Sequence, residues 1–405
     1  MITRPGIAAE GSAKVPKAPE GCQFQVSVVI PCLNEEESIA GCVDEAIEAL
    51  RQANIQGEVV VTDNGSVDRS AEIAKEHGAR VVRAPLRGYG SALRKGLEEA
   101  RGAFIIMGDA DGSHDFSEIP RYVAKWHEGY DLVVGNRFQG EIKRGAMKWH
   151  HRYVGTPALS AILNLFFGAG VGDVNCGMRG ITQSLFRRID CRTTGMEFAS
   201  ESLVKAAKLG ARITEIPITA RPDNRTRPPH LRSFQDGWRH LRFLLMCAPN
   251  WLFLAPGGLL VASGFGLVLW LLPGPRFAGK IGFDIHTMAF GLFLILLGFH
   301  IFSIGLFAKV FSYTEKLSGN GRTLESWLRH VKLEHGLLLG SAMALAGLLG
   351  DSTIFWHWAS SGFEHFHAVR ATFFWTLCMF LGIEIVFSSF FLSMLGISRA
   401  IYIGD

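Results

Sequence analysis

The strongest constraint on the fold is an abrupt change of composition near residue 245. Beyond it, four apolar segments follow one another, at residues 249–272, 285–309, 336–358 and 370–395. A helix needs about 20 residues to cross the roughly 30 Å hydrocarbon core of a bilayer, and each segment is long enough. Asp351 interrupts the third segment. The sequence therefore predicts a domain of four transmembrane helices over residues 249–398.

The loops that flank these segments differ in charge. Most of the basic residues fall on one side of the membrane, namely Arg239, Arg242, Lys309, Lys316, Arg322, Arg329, Lys332 and Arg399. The other side receives Arg276, Lys280 and Arg370. Short loops rich in lysine and arginine stay in the cytoplasm. We therefore expect the N-terminal half and the C-terminal tail, residues 399–405, to be cytoplasmic.

Two segments beside the spans mix aromatic, basic and apolar residues, as helices that lie in the membrane interface do. They read "FQDGWRHLRFLL" and "SWLRHVKL". We predict an interfacial helix over residues 232–248 and an interfacial segment over residues 312–334. Glu384 lies deep in the last span. Two roles are open for it, a functional one and a contact between helices.

The first 24 residues lack an apolar stretch and mix glycine, proline and charged residues, so we expect a disordered leader and not a signal peptide. The formal net charge is only +4 over 405 residues, which argues against a nucleic-acid-binding protein. The seven cysteines form no C-x-x-C pair, which argues against a zinc site and against a disulfide framework.

Residues 25–231 alternate short β-branched runs with helix-like stretches. The runs are "VSVVIP", "EVVVTD", "ARVVRA", "AFIIMG" and "DLVVGN". Asn34 and Glu37 have the spacing of a capping box and predict the start of the first helix. Alternating strands and helices predict a Rossmann-like α/β domain, with a mostly parallel sheet covered by helices on both faces.

Segments that contain polar residues lie at or just past the ends of several of these runs. They are Pro31 to Glu35, Asp63, Asp109 to Asp111, and Asn136 with Arg137. Because the carboxyl ends of parallel strands meet at one edge of a sheet, we expect these residues to converge there. Two carboxylates at positions i and i+2 of a turn can both bind one hard cation. Asp and Gly are also common in solvated turns. The convergence of several polar strand ends favours a binding site.

Taken in order, these motifs resemble those of a known enzyme family. In order, "VSVVIPCLNEEESI", "VVVTDNGSVDRS", "GYGSALRKGLEEARG", "IIMGDADGSHDF", "LVVGNRF" and "DVNCGMRGI" resemble the family 2 glycosyltransferases with the GT-A fold. Within that family they are similar to the polyprenyl-phosphate enzymes, which are dolichol-phosphate mannose synthase-like. The resemblance covers residues 26 to about 245. It implies transfer of a sugar from a nucleotide diphosphate donor to a lipid phosphate, with inversion at the anomeric carbon.

The resemblance also implies roles for residues of the donor site. Pro31, Leu33 and Glu35 would line the nucleotide pocket, and Asp63 would contact the uridine or guanosine. Asp109 and Asp111 would be the catalytic aspartates that bind the diphosphate and a divalent metal, Mg²⁺ or Mn²⁺. Where the family often has a glutamine as a further metal ligand, this chain has Ser113. The following residue, His114, matches a frequent histidine, and a turn residue without a role is the alternative.

Arginines would bind the phosphates. By the same resemblance, Arg137 would lie near the acceptor phosphate, and Arg152 would serve the same anion. The alternative for both is a general attraction to anionic lipid headgroups. A basic loop that includes Arg225 and Arg227 would close over the donor phosphates, although the chain has His230 where the family usually has a lysine. A solvated, membrane-adjacent face is the alternative for this loop.

Two other functions compete with this interpretation. A processive polysaccharide synthase would carry a Q-x-x-R-W signature, whereas "QDGWR" has these letters in a different order. A nucleotide-sensing lipid transporter or flippase would not need the metal aspartates. We expect a nucleotide-sugar donor, a polyprenyl phosphate acceptor and a membrane as partners, and a homo-oligomer is left open. A bacterial inner or plasma membrane is favoured over the endoplasmic reticulum.

Overall fold

The computed structural model describes residues 23–223, 233–314, 333–363 and 368–397. The chain divides into two compact units, Met1–Leu244 and Leu245–Asp405. Several predictions concern residues outside the described ranges. They are most of the leader over residues 1–24, Arg225 and Arg227, the greater part of the interfacial segment over 312–334, and the tail over 399–405.

Over residues 23–223, the N-terminal unit is built on a seven-stranded sheet of order β3-β2-β1-β4-β6-β5-β7. The strands are β1 (Phe24–Cys32), β2 (Gly57–Asp63), β3 (Arg80–Arg83), β4 (Gly102–Met107), β5 (Leu132–Asn136), β6 (Arg179–Thr182) and β7 (Ile213–Pro217). All neighbours pair in parallel except β6, which is antiparallel to β4 and β5. Every residue of β4 is buried, as expected for a central strand with both faces covered. The predicted mostly parallel α/β sheet is confirmed.

Helices follow the strands on both sides of the sheet. They are α1 (Ile39–Gln52), α2 (Ser70–Glu76), α3 (Tyr89–Glu99), α4 (Ile119–His127), α5 (Thr156–Phe167), α6 (Gln183–Ile189), α7 (Phe198–Lys208) and α8 (Ser233–Met246). A π turn, His151–Gly155, leads directly into α5. The predicted capping box is wrong, because α1 begins at Ile39 and Asn34 lies outside it with a φ of 57°.

One face of α8 packs on the N-terminal unit. His240 is only 6% exposed, and its Nδ1 lies 2.7 Å from the Ser200 hydroxyl on α7. On the outer face, Phe234 is 92% exposed and Trp238 is 58% exposed. The helix therefore has an inner face held by a buried histidine and an outer face with large exposed aromatic rings.

Burial of His240 makes the packing of α8 sensitive to acid. Desolvation, with a further effect of Arg179, lowers the pKa of His240 from 6.5 to about 4. The unfolded chain therefore binds a proton more readily than the folded one, and the stabilisation present above pH 6.5 is lost as the pH falls towards 4. The free energy of unfolding falls by about 3 kcal/mol when this loss is complete.

We expect the thermal unfolding midpoint of the N-terminal unit to fall more steeply between about pH 7 and about pH 5 in the native chain than in His240→Gln. Glutamine can hydrogen-bond to Ser200 but does not titrate in this range. His77→Gln is the matched control, because His77 pairs with Asp44 at the surface. If the unfolding midpoint of the native chain and that of His240→Gln fell equally with pH, His240 would not be the cause of the acid sensitivity.

Among its described residues, the C-terminal unit contains four long apolar helices. They are α9 (Ala255–Leu271), which a π turn over Asn250–Leu254 precedes, α10 (Ile285–Thr314), α11 (Leu333–Ser360) and α12 (Val369–Ile397). The helices are long and apolar enough to cross a membrane over Asn250–Leu271, Ile285–Ser312, Leu333–Ser360 and Val369–Leu395. The four predicted spans are therefore confirmed. A short hairpin between α9 and α10, Arg276–Ala278 with Ile281–Phe283, was not predicted.

Polar contacts join the helices of this unit. His300 Nδ1 on α10 lies 3.0 Å from Glu384 Oε1 on α12. The Thr376 hydroxyl donates to Asp351 at 2.8 Å, which links α12 to α11. A contact between helices, one of the two roles open for Glu384, is thus present. Hydrogen bonds between transmembrane helices stabilise their association modestly.

Candidate functional site

The loops after β1 and β2 form one wall at the carboxyl edge of the sheet. The strands are in register so that Cys32 pairs with Asp63. The Asn34 backbone N–H donates to the Ser66 hydroxyl at 3.0 Å, and the Val67 N–H donates back to Asn34 Oδ1 at 2.8 Å. This reciprocal pair replaces the predicted helix cap. The side chain of Asn34 therefore ties the two loops together.

The predicted nucleotide residues lie in or beside this wall. Pro31 is the second-last residue of β1, and Leu33 and Glu35 follow the strand. The Glu35 N–H donates to the Ser70 hydroxyl at 2.7 Å. The Asp63 carboxylate accepts from the N–H groups of Gly65 at 3.3 Å and Ser66 at 3.0 Å. These hydrogen bonds fix the positions of the two loops. The Asp63 carboxylate keeps further lone pairs that a ligand can use.

The loop after β4 carries the two predicted metal aspartates. The Ser38 hydroxyl donates to the carbonyl of Ala110 at 2.6 Å and so anchors the loop to the start of α1. The Ser113 N–H donates to Asp111 Oδ1 at 3.0 Å. Gly112 has a φ of 77°, a left-handed conformation that glycine adopts without strain. Asp109, Asp111 and Ser113 therefore share one tight turn.

Two side chains orient the carboxylate of Asp109. The Tyr89 hydroxyl donates to Oδ1 at 2.9 Å, and His114 Nε2 lies 3.0 Å from Oδ2. Because an ionised carboxylate only accepts, this contact is a hydrogen bond in the tautomer of His114 that carries a proton on Nε2. Burial and the Asp109 charge raise the pKa of Tyr89 well above its ordinary value. A Cβ atom at Gly177 would lie 2.4 Å from Asp109 Oδ2, so any other residue there would displace this carboxylate.

A buried ion pair holds Arg137 at the end of β5. Its guanidinium donates to both carboxylate oxygens of Asp173, at 2.7 and 2.8 Å. Asp173 is fully buried, and the Arg137 side chain is 18% exposed. Burial acts to lower the pKa of Arg137, but the hydrogen bonds and the charge of Asp173 outweigh it and raise the pKa above its ordinary value. Arg137 is therefore a cation of constant charge in a defined orientation.

A second layer of contacts positions Asp173 itself. Glu215 Oε1, at β7, accepts from the N–H groups of Gly172 at 2.8 Å and Asp173 at 3.2 Å. Its other oxygen accepts from the side-chain amide of Asn136 at 3.0 Å. The ends of β5 and β7 and the loop before β6 are thereby joined around Arg137.

The other predicted phosphate-binding residues are less defined. Arg152 lies on the exposed face of the π turn, and its guanidinium is 5.5 Å from the ring centroid of Tyr153. Burial, and then the charges of His150, Lys148 and Arg137, lower the pKa of His151. The π turn thus lies within electrostatic range of Arg137. Arg225 and Arg227 are outside the described residues.

A further arginine ties the Asp111 loop to the segment after β7. The Arg221 N–H donates to the carbonyl of Ser113 at 2.9 Å, and its guanidinium contacts Asp115 at 2.5 Å and Glu45 at 3.0 Å. A cavity of about 390 Å³ lies beside this cluster, lined partly by Gly112. Arg221 was not singled out from the sequence, because its partners are far away along the chain.

The donor set of the Asp111 loop fits a hard divalent ion. Within the described residues, no three His, Cys, Asp or Glu side chains lie together as a metal-binding group. Mg²⁺ is commonly bound by one or two carboxylates together with substrate phosphates and water, so such a group is not needed. Asp109 and Asp111 supply two carboxylates, and the Ser113 hydroxyl is a weaker oxygen donor.

Besides Arg221, four further contributors to the site were not assigned a role from the sequence, although three of them stand within quoted motifs. They are Tyr89, Asp173, Gly177 and Glu215. Antiparallel β6 brings the loop over residues 173–178 beside β4 and β5. The short run of β6 has no pattern that would reveal its direction.

Comparison with known proteins agrees with this architecture. Residues 27–191 match the model for "Glycosyl transferase family 2", and residues 306–396 match the "Glycosyltransferase family 2 C-terminal transmembrane region". The low-salt glycan biosynthesis hexosyltransferase Agl6 of Haloferax volcanii is 41% identical over 92% of this chain and 89% of its own length. The dolichyl-phosphate hexose transferase of the same organism is 31% identical over 48% of this chain and 82% of its own.

A solved structure is also similar. It is glucosyl-3-phosphoglycerate synthase from Mycobacterium tuberculosis in complex with Mn²⁺, uridine diphosphate and glucosyl-3-phosphoglycerate. The superposition covers 60% of this chain and 85% of that chain, with 25% identity and a TM-score of 0.45.

Proposed function

The chain belongs to glycosyltransferase family 2 and is an integral membrane glycosyltransferase, and from this premise we propose that it transfers a sugar from a UDP- or GDP-linked donor to a polyprenyl or dolichyl phosphate. The product is a polyprenyl-phosphate sugar, with inversion at the anomeric carbon. The similarity to a dolichyl-phosphate hexose transferase supports a lipid phosphate as acceptor.

One observation carries the proposal. A pair of aspartates follows β4, and an oriented arginine follows β5. These two strands flank β6 and end at the same edge of the sheet. The aspartates suit a nucleotide diphosphate with its cation, and the arginine suits a second, separate phosphate. Two anion-binding elements at one edge are what a transfer from a diphosphate to a phosphate requires.

The donor would lie against the wall formed by the loops after β1 and β2. Pro31, Leu33, Glu35 and Asp63 would contact the nucleoside, and Asp109 would face the diphosphate. Asp109 and Asp111, with Ser113, would hold Mg²⁺ or Mn²⁺, which when bound neutralises the charge of the departing nucleoside diphosphate. Tyr89 and His114 keep the Asp109 carboxylate oriented, so little reorganisation is needed when the donor binds.

The acceptor would be bound by Arg137 and Arg152. A planar guanidinium can grip phosphate in two places and stays charged at all relevant pH values. A phosphate monoester is already an anion near neutral pH, so its oxygen attacks C1 of the sugar without a general base. The C1–O bond to the diphosphate breaks as the new C1–O bond forms on the opposite face, which inverts the configuration.

We also infer the arrangement in the cell. The GT-A domain over residues 25–231 and the C-terminal tail would be cytoplasmic, where nucleotide sugars are made, because the basic residues concentrate on that side of the spans. The helix over residues 232–248 would lie in the membrane interface. A bacterial inner or plasma membrane suits this arrangement.

The test is a lipid-linked transfer assay. Purified full-length protein in nanodiscs is incubated with a panel of radiolabelled UDP and GDP sugars, undecaprenyl or dolichyl phosphate, and Mg²⁺ or Mn²⁺. Label in the lipid extract, lost on chelation, supports the proposal, and the anomeric configuration of the product reports inversion. Label in a polymer would replace it by a polysaccharide synthase. Nucleotide binding without any transfer would favour a nucleotide-sensing transporter.

A further inference from the structure

Helices α10 and α12 carry the same short motif near their middles. It reads "LGFHI" on α10 and "LGIEI" on α12. A Cβ atom at Gly298 would lie 2.7 Å from the carbonyl oxygen of Gly257 on α9. A Cβ atom at Gly382 would lie 2.5 Å from the carbonyl oxygen of Gly340 on α11. Each motif glycine therefore lets its helix approach the preceding span closely, as small residues do in membranes.

The ionisable residue of each motif follows its glycine by two positions. With 3.6 residues per turn, this step carries a side chain roughly 200° around the helix axis. His300 and Glu384 therefore point away from these close contacts, and they meet each other, with His300 Nδ1 3.0 Å from Glu384 Oε1. The His300 side chain is nevertheless 67% exposed, and that of Glu384 is 28% exposed.

The exposed part of the imidazole faces the hydrocarbon of the bilayer. His300 lies near the middle of α10 and Glu384 near the middle of α12. Lipid tails offer no hydrogen-bond partner at that depth, and ionisable side chains within spans face protein or a water-filled cavity. Lipid headgroups lie too far from the middle of a span to supply one. A protein span with polar groups of its own is therefore the cover that fits this surface.

Exposed apolar side chains flank the pair on both helices. They are Phe293, Leu297 and Ile304 on α10, and Phe380, Phe387 and Phe391 on α12. Together with His300 and Glu384 they form two stripes with the spacing i, i+4, i+7 and i+11, which is one side of a helix. An apolar seam with a polar residue at its centre fixes the register and the number of associating helices.

We propose that these two stripes, the His300 face, join two copies of the chain within the bilayer. A two-fold arrangement brings the same surface of both copies together. His300 of each copy would then meet Glu384 of the other, with apolar side chains around both pairs. A second copy thus supplies the polar centre and the apolar surround in the same order. The contact goes beyond the proposed function and does not depend on it.

Photo-crosslinking tests the contact in the full chain, reconstituted in phosphatidylcholine liposomes. A benzophenone amino acid replaces Leu297, which is 54% exposed, or in the control Leu349 on α11, which is 57% exposed. We expect covalent dimers from position 297 and lipid adducts alone from position 349. Lipid adducts alone from position 297, or as many dimers from position 349, would overturn the proposal.

Variants test the polar pair itself. Single-molecule photobleaching of the labelled chain over a series of protein-to-lipid ratios gives the dissociation constant of the dimer. We expect His300→Leu to raise this constant about tenfold, and the exchange His300→Glu with Glu384→His to restore most of the affinity. Thr376→Val is the matched control, because it removes a hydrogen bond to Asp351 within one chain.

The control should leave the dissociation constant unchanged. An unchanged constant for His300→Leu would show that the polar pair does not lie between copies, and a chain that stays monomeric at every ratio would exclude the contact altogether. Thermal unfolding shows whether each variant is folded. If His300→Leu does not fold, the crosslinking at position 297 decides the proposal.

Discussion

Asp111→Ala is expected to reduce sugar transfer by about a thousandfold or more while the protein still folds. The side chain lies on a turn at the edge of the sheet, and its Oδ1 accepts from the Ser113 N–H. Its loss would leave Asp109 as the single carboxylate of the turn for a divalent ion. The charge that develops on the leaving diphosphate would then be poorly neutralised, which raises the barrier and lowers the rate.

Binding measurements separate this effect from a general defect. We expect Asp111→Ala to lose most of its affinity for Mn²⁺, measured by electron paramagnetic resonance with the nucleotide present, and to keep its thermal unfolding midpoint. Asp44→Ala is the matched control, since Asp44 contacts His77 at the surface on α1. Normal transfer by Asp111→Ala would overturn the assignment of the metal site.

Asp173→Ala is expected to destabilise the N-terminal unit by about 3–5 kcal/mol, because removal of one partner of a buried ion pair leaves the other charge uncompensated. Asp173 is fully buried and contacts Arg137 through both oxygens. Part of the cost would be relieved if water enters the space that the carboxylate leaves. Since the guanidinium also loses its orientation, transfer to the lipid phosphate should fall further than the unfolding alone explains.

Thermal unfolding of the full chain in nanodiscs measures the first effect, and the Michaelis constant for polyprenyl phosphate measures the second at a temperature where the variant is folded. Glu48→Ala is the control, because Glu48 pairs with Arg51 at the surface and such pairs contribute little. Asp173→Asn keeps the shape of the side chain, and its unfolding midpoint should lie between those of Asp173→Ala and Glu48→Ala. An unchanged midpoint for Asp173→Ala would show that the pair does not stabilise the fold.

Local patterns were sufficient for much of the architecture. The β-branched runs predicted the parallel strands that surround the site, and the apolar segments predicted all four spans to within a few residues. Both predictions depend on the side chains of contiguous residues, which decide burial and length without reference to distant parts of the chain. The positions of Asp63, Asp109 and Arg137 at strand ends could be predicted for the same reason.

Other predictions failed or could not be made. The capping box over Asn34 and Glu37 was wrong because Asn34 makes its contacts with the loop after β2, more than 30 residues away. The outer face of α5 was not recognised, since an apolar helix reads the same whether it packs in a core or lies exposed. Burial is set by the neighbours that the fold supplies, and the side of α5 that faces them carries Thr156, Leu159, Ser160 and Leu163.

The sequence by itself determined the membrane spans, the α/β class of the N-terminal unit and the family resemblance, because contiguous residues carry those signals. Only the tertiary structure decided which side chains orient the site. Tyr89 reaches Asp109, Asp173 reaches Arg137 and Glu215 reaches Asn136 across separations of 20 to 79 residues. These pairings depend on the strand order and on the reversed direction of β6, which arise from the packing of the whole sheet and leave no local pattern.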